Sequence, residues 1–294
     1  MRRQCATRRQ RGFSLVELVV VIVLIGAIGG ILAMQLGPTI QGYLDVNRRA
    51  GLTDQADTAL RRIVTDVRAA VPNSLRLHNA RCLELVPAID GGRYRTGPDV
   101  SSNRSGDAFL DYDAAATQFD VVTRFTTVPA ANDLVVIGNQ NPGDVYNRTN
   151  VSFIQQVTTR DNPLAADAWM GAHRLSVTPT RIPFGYDGGR FVVVSAAEQA
   201  VSYVCENPGL DNATRNGTGR LFRVTRTLVA AAPPARCPQA AGPVLATGVE
   251  RCEFVLNPNQ GATQQSGFIQ LQLTLTSGGE SVPLTLGAHV SNVP

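Results

Sequence analysis

The sequence contains no lysine: all 27 of its basic residues are arginine. A GC-rich genome produces such a bias, and so does selection for bidentate surface pairs. The genomic cause is the simpler one, and no function follows from it. Also missing are a G-x-S-x-G elbow, an H-E-x-x-H zinc motif, a P-loop and a Rossmann fingerprint, which argues against an enzyme. The three histidines, His78, His173 and His289, are scattered and fit no metal-ligand spacing; His289 is expected on the polar side of the last strand. There is no C-x-x-C pair, so neither a redox motif nor a zinc ribbon is indicated. The Asn/Asp-rich stretches 141–150 and 161–167 lack EF-hand spacing and read as solvated loops. No metal or cofactor is expected.

Charge is missing from one long segment as well. After Arg2, Arg3, Arg8, Arg9 and Arg11 comes Gly12, then an apolar run opening at Phe13, with one charge, Glu17, before Asp45. A carboxylate within a membrane span is unfavourable by roughly 2.5–3.5 kcal/mol at its centre and less near its ends, which makes Glu17 a candidate functional residue. An ordinary signal peptide carries a small-residue cleavage site after its apolar region. Here no A-x-A follows within reach, and the candidate site comes first. Removing residues 1–12 takes five arginines away and moves the formal charge from +4 to near −1, so the basic balance belongs to the leader and gives no reason to expect nucleic acid. Arginines flanking a span hold that end in the cytoplasm, which puts the C-terminal domain on the periplasmic or outer side.

The stretch Arg11-Gly12-Phe13-Ser14-Leu15-Val16-Glu17-Leu18 resembles the junction of type IV prepilins. The resemblance implies cleavage by a prepilin peptidase between Gly12 and Phe13, N-methylation of Phe13, and a mature chain whose fifth residue is Glu17. It further implies that Glu17 meets the N-terminal amine of a neighbouring subunit in a filament. The expected partners are the prepilin peptidase, other major and minor pilins, an inner-membrane assembly platform and the inner membrane itself. Weaker likenesses lie at Arg81–Glu84, Gly92–Arg95, Gly189–Val194, Val201–Cys205 and His289–Pro294. They are similar to the MshO-type minor pilins of mannose-sensitive haemagglutinin pili, which implies a subunit that initiates or caps an adhesive pilus. A J-type pseudopilin of a type II secretion system and a non-polymerising, membrane-anchored binding protein are the competing readings. Glu17 departs from the tip-most K-type pseudopilins, which usually lack it, and so favours a seat below the tip.

Four segments are expected: a leader at 1–12, a transmembrane helix at 13–37, an amphipathic continuation at 38–72, and a β-rich domain at 73–294. Gly26, Gly29 and Gly30 permit close helix packing. Gly37-Pro38 should break or kink the helix, because proline lacks the N–H that would bond Met34. Beyond it Ala56, Leu60, Ile63 and Val67 share one face, and Asp57 lies four residues before Arg61. Pro72 ends the pattern. Strands are expected at 82–86, 119–125, 134–137, 151–157, 191–194, 201–205, 221–227, 252–256 and, by strict alternation, at 269–276. A final strand near 282–290 contains Pro283, which confines it to a sheet edge. Helix first, then strands with no βαβ alternation, gives an α+β fold with antiparallel pairing, pilin-like in layout.

Loss of the leader removes Cys5 and leaves Cys82, Cys205, Cys237 and Cys252 in an oxidising compartment, where two disulfides are expected. Three connectivities are possible. Cys205 and Cys237 flank one arginine-rich hairpin and its Pro233-Pro234 exit, which favours that pair and leaves Cys82 with Cys252.

Overall fold

The computed structural model describes residues 12, 14–98, 108–159, 171–229, 237–257 and 266–291. The order is α1 (Leu15–Arg68), then β1 (Arg76–Asn79), β2 (Cys82–Leu85), β3 (Asp90–Arg93), β4 (Ala116–Val121), β5 (Leu134–Ile137), β6 (Val151–Thr159) and β7 (His173–Thr180). There follow β8 (Arg190–Val194), β9 (Ala200–Glu206), β10 (Leu210–Asp211), β11 (Asn216–Gly217), β12 (Gly219–Arg226), β13 (Val244–Asn257), β14 (Ser266–Ser277) and β15 (Glu280–Ser291). Every strand pairing is antiparallel, so the architecture is α+β. The chain divides into two compact units, Met1–Ala50 and Gly51–Pro294.

Within the first unit, every large apolar side chain from Leu15 to Val46 is exposed. Of the two outcomes expected at Gly37-Pro38, a break does not occur: α1 runs through both residues. Proline removes one intrahelical donor and disturbs the adjacent turn. In the next position the Thr39 hydroxyl donates to the Gln35 carbonyl at 3.1 Å.

In the second unit the helical face read from the sequence is the buried one. Ala56, Leu60, Ile63 and Val67 are at most 1% exposed and pack on a seven-stranded sheet of order β1-β2-β9-β12-β13-β14-β15. The alternation in β14 turns Ile269, Leu271, Leu273 and Leu275 into the same core, while Gln270 and Gln272 stay half-buried. Full burial of such a side chain stabilises by about 1.5–3 kcal/mol, which is what holds this half of the helix down. β15 lies at the sheet edge, with Pro283 opposite Thr274, as a residue without an N–H requires. On the exposed helix face Arg61 Nε donates to Asp57 at 2.6 Å.

The remaining long strands form a second sheet of order β3-β8-β5-β6-β7-β4. Its two edges meet. Tyr94 bridges Val121, the Val122 N–H donates to the Arg93 carbonyl at 2.9 Å, and the Arg95 N–H donates to Asp120 at 3.0 Å. The six strands therefore close into a ring around Phe119, Val135, Ile137, Leu175, Val177 and Phe191. Closure removes both edges, which otherwise invite aggregation. Two glycines make the ring possible at β3: a Cβ on Gly91 would lie 2.8 Å from the Phe191 carbonyl oxygen, and one on Gly92 only 2.5 Å from the Thr123 hydroxyl.

His173, inside this ring, is buried against Phe125 with ring centroids 4.7 Å apart. Its Nε2 accepts the Phe125 N–H at 3.2 Å, a bond that needs the unprotonated nitrogen. Burial, with Arg124 adding to it and Asp90 opposing, holds the imidazole below its ordinary value. A folded-state pKa below the unfolded one gives stability that is complete above about pH 6.5 and is lost as pH falls through the folded value. Urea midpoints of the full chain at pH 7.5 and pH 5.0 are expected to fall with acidification. The fall should shrink in His173→Gln, and an equal fall in both proteins would remove His173 as the cause.

Candidate functional site

The first turn of α1 is built by Ser14. Its carbonyl accepts the Leu18 N–H at 3.2 Å, and its hydroxyl accepts the Glu17 N–H at 3.2 Å, the geometry of a helix N-cap. Ser-x-x-Glu is also the capping-box pattern, and a carboxylate in the first turn complements the helix dipole. Glu17 therefore has a local role. Among the described residues, however, no side chain partners its carboxylate, and the surrounding surface is apolar: Val16 is 70% and Val20 50% exposed. Gly12 is exposed just ahead of the helix, and Phe13 lies outside the described residues. The arrangement presents one carboxylate, one turn into an apolar helix.

The rest of the first unit offers continuous apolar surface. A Cβ on Gly26, Gly29 or Gly30 would meet no heavy atom of the chain within 4 Å, so that side of the helix is open to a neighbour. The helix is long and apolar enough to cross a membrane.

The second unit carries the buried charges, and they are structural. Asp66, near the end of α1, accepts the Arg223 Nε–H at 2.9 Å and the Tyr203 hydroxyl, and lies 3.4 Å from Arg62. Arg223 completes the group with a bidentate pair to Glu198 at 2.8 and 3.0 Å. These bonds hold the Glu198 carboxyl below the usual range, while burial and then Asp66 push the Tyr203 phenol up. Glu84, 1% exposed, similarly takes Arg76 at 2.9 Å and His78 at 2.6 Å. Asp120 is bonded by Arg174 at 2.6 and 3.1 Å. All three carboxylates are buried and tie elements together rather than face solvent. Glu84 and Asp120 carry a signal in the sequence, an acidic residue within an otherwise apolar stretch; Asp66, between Arg62 and Arg68, does not.

In the loop 141–150, the Asp144 carboxylate accepts both the backbone and side-chain N–H of Asn141, and the Asn139 side-chain oxygen accepts the Val145 N–H. The oxygens there are used in turn formation. The stretch 161–167 lies outside the described residues. No cluster of three or more His, Cys, Asp or Glu able to hold a metal occurs among the described residues. A cavity of about 370 Å³ borders the ring beside Val71, Val136, Val192, Arg93 and Arg190. Arg93 and Arg190 stand directly opposite each other across β3 and β8.

The cysteine pairing differs from the expectation. Cys205 is joined to Cys252, with Cα atoms 6.3 Å apart, and Cys82 and Cys237 are not joined in this structure. The reason is a register shift in β13 between Val249 and Arg251. Past it the strand bends toward the β1–β2 hairpin, where the Phe254 N–H donates to Ala80 at 2.7 Å and the Cys205 N–H to Arg81 at 3.0 Å. That bend carries Cys252 to Cys205 on the helix side of the sheet. Cys237 packs against the other face.

Residues 7–33 match the family described as Prokaryotic N-terminal methylation motif. No curated protein and no solved structure matches the chain. The match supports a type IV pilin-like protein, a class that is generally structural, and implies processing by a prepilin peptidase; together with the apolar helix it suggests membrane anchoring.

Proposed function

We propose that this chain is a minor subunit of an adhesive type IV pilus of the mannose-sensitive haemagglutinin kind, of the MshO type, helping to initiate or cap the filament. The observation that carries the reading is the N-terminus: an arginine-rich stretch ending at Gly12, an apolar helix exposed from Leu15, and Glu17 one turn in with no side-chain partner among the described residues. In this reading the peptidase cuts between Gly12 and Phe13 and methylates Phe13. The span covers 13–37 with its N-terminus cytoplasmic, and the domain beyond faces the periplasm before entering the filament. Burial of the helix starts only at Leu52. The exposed Ile40, Tyr43, Leu44 and Val46 thus lie past the span, where they meet neighbouring helices. The subfamily assignment rests on 189–194 and 201–205, which form β8 and β9, and on the terminal stretch 289–294.

The discriminating experiment is deletion of the gene followed by two readouts, pili per cell and the secreted fraction of exported hydrolases. A minor pilin predicts few or no pili with secretion intact. Loss of secretion with normal piliation would assign the chain to a type II secretion pseudopilus. Wild-type values of both would favour an anchored protein that does not polymerise.

A further inference from the structure

Cys82 opens β2 and is completely buried. It packs with Val204, Phe222 and Val224 on the sheet face turned away from α1, and Cys237 and Ala240 pack onto that cluster from the segment before β13. Cys237 is only partly buried. Asn79, the register partner of Cys82 across the β1–β2 turn, holds it there: the Asn79 amide donates to the Cys237 sulfur at 3.4 Å, and the Cys237 thiol lies 3.6 Å from the Asn79 carbonyl oxygen. We propose that Cys82 and Cys237 form a second disulfide in the exported protein, on the opposite face of the seven-stranded sheet from Cys205–Cys252. Nothing else is left for either sulfur to pair with in the mature chain once Cys205 and Cys252 are joined.

The chemistry requires an oxidant, a disulfide carried by a thiol-exchanging protein or an oxidised small thiol. Cys237 is the accessible partner. Its thiolate attacks one sulfur of the oxidant disulfide, giving a mixed disulfide and releasing one thiolate. Cys82 then loses its proton and attacks the Cys237 sulfur, which forms the Cys82–Cys237 bond and releases the oxidant's second thiolate. The two cysteines together give up two protons and two electrons, and the oxidant becomes a dithiol. Burial first, and then the hydrogen bond with Cys237, push the Cys82 thiol well up. Buried and with its thiol pushed up, Cys82 alone is a poor target for other reagents. The bond ties β2 to the segment that leads into β13, two stretches 155 positions apart in sequence.

The sequence makes the test clean. Arginines at 81, 236 and 251 directly precede three of the cysteines, and there is no lysine, so trypsin puts each of the four into its own peptide: 82–93, 191–215, 237–251 and 252–294. The full chain, extracted from the exported membrane fraction, is alkylated in denaturant without reductant, digested and analysed by mass spectrometry. The expected species are 82–93 linked to 237–251 and 191–215 linked to 252–294. Alkylated, unlinked 82–93 and 237–251 beside an intact 191–215/252–294 pair would overturn the proposal alone. All four alkylated would overturn it together with the exported location on which it rests. Any exchanged pairing would also overturn it. Cys82→Ser should raise denatured thiol labelling from none to one per chain, at Cys237; if it stays at none, or if wild type already labels there, the bond does not form.

Discussion

Arg223→Met is expected to destabilise the domain by about 3–5 kcal/mol, the range measured when one partner of a buried ion pair is removed. Arg223 is 9% exposed and Asp66 7%. The guanidinium ties three elements together: α1 through Asp66, β9 through Tyr203 beside it, and the turn before β9 through Glu198. Without it Asp66 keeps the Tyr203 hydroxyl and the more distant Arg62, but no buried cation. A loss of this size takes a large fraction of the ~5–15 kcal/mol that stabilises an ordinary domain. Replacing the buried members with apolar groups is a different perturbation, because the one charge that loses its partner, Glu198, has a side chain 42% exposed to water. Asp66→Leu with Arg223→Met and Tyr203→Phe should therefore recover most of the loss. By contrast Arg61→Ala breaks an exposed helix pair and should change stability by less than about 0.5 kcal/mol. Urea denaturation of the detergent-extracted full chain, followed by resistance to proteolysis, measures all three. An Arg223→Met midpoint close to that of Arg61→Ala would show that the network holds nothing together.

The largest functional effect is expected at Glu17. Two explanations for a carboxylate there must be separated. As the third residue after the Ser14 cap it belongs to a capping box, a role that glutamine fills nearly as well. As a charge in an apolar surface it has value only if a cation reaches it, and in the proposed reading that cation is the N-terminal amine of a neighbouring subunit. Glu17→Gln keeps the cap and removes the charge. If the charge is what matters, Glu17→Gln and Glu17→Ala should insert and be processed normally, since both make the helix less polar. Both should then be depleted from sheared filaments. Stranding the neighbouring amine costs about 3 kcal/mol or more, which is roughly a hundredfold in incorporation. If Glu17→Gln incorporates as wild type while Glu17→Ala does not, the residue is a cap and the pairing role is wrong.

How much of this was legible beforehand depends on how local the physics is. Alternation in 269–276 and 282–290 marked the two strands with the longest continuous pairing, β14 and β15, and Pro283 marked the sheet edge, because period and a missing donor act within the strand itself. The 4-3-4 spacing from Ala56 to Val67 gave the buried helical face for the same reason. The strands not expected include β1, Arg-Leu-His-Asn, and β3, Asp-Gly-Gly-Arg, whose residues read as turn and loop. They are strands because their partners are hydrophobic strands and because glycine alone fits against Phe191. β7 was missed although Leu175 and Val177 alternate, since Pro179 and the loop-like stretch before it masked a short pattern. Ring closure at Tyr94–Val121 and the Cys205–Cys252 bond depend on distant segments and on a bulge, neither of which has a local sequence signal. At the candidate site the residues themselves were legible from Gly12 to Glu17, while the Ser14 cap on Glu17 came from the structure.

The central claim is that this chain is processed at its N-terminus and then enters a filament. The most direct measurement is N-terminal sequencing and intact mass of the protein recovered from sheared filaments. The account predicts a chain that begins with N-methylated Phe13, carries Glu17 as its fifth residue, and lacks the five leader arginines. A chain that begins at Met1, or one found only in membranes and never in the filament fraction, would contradict it.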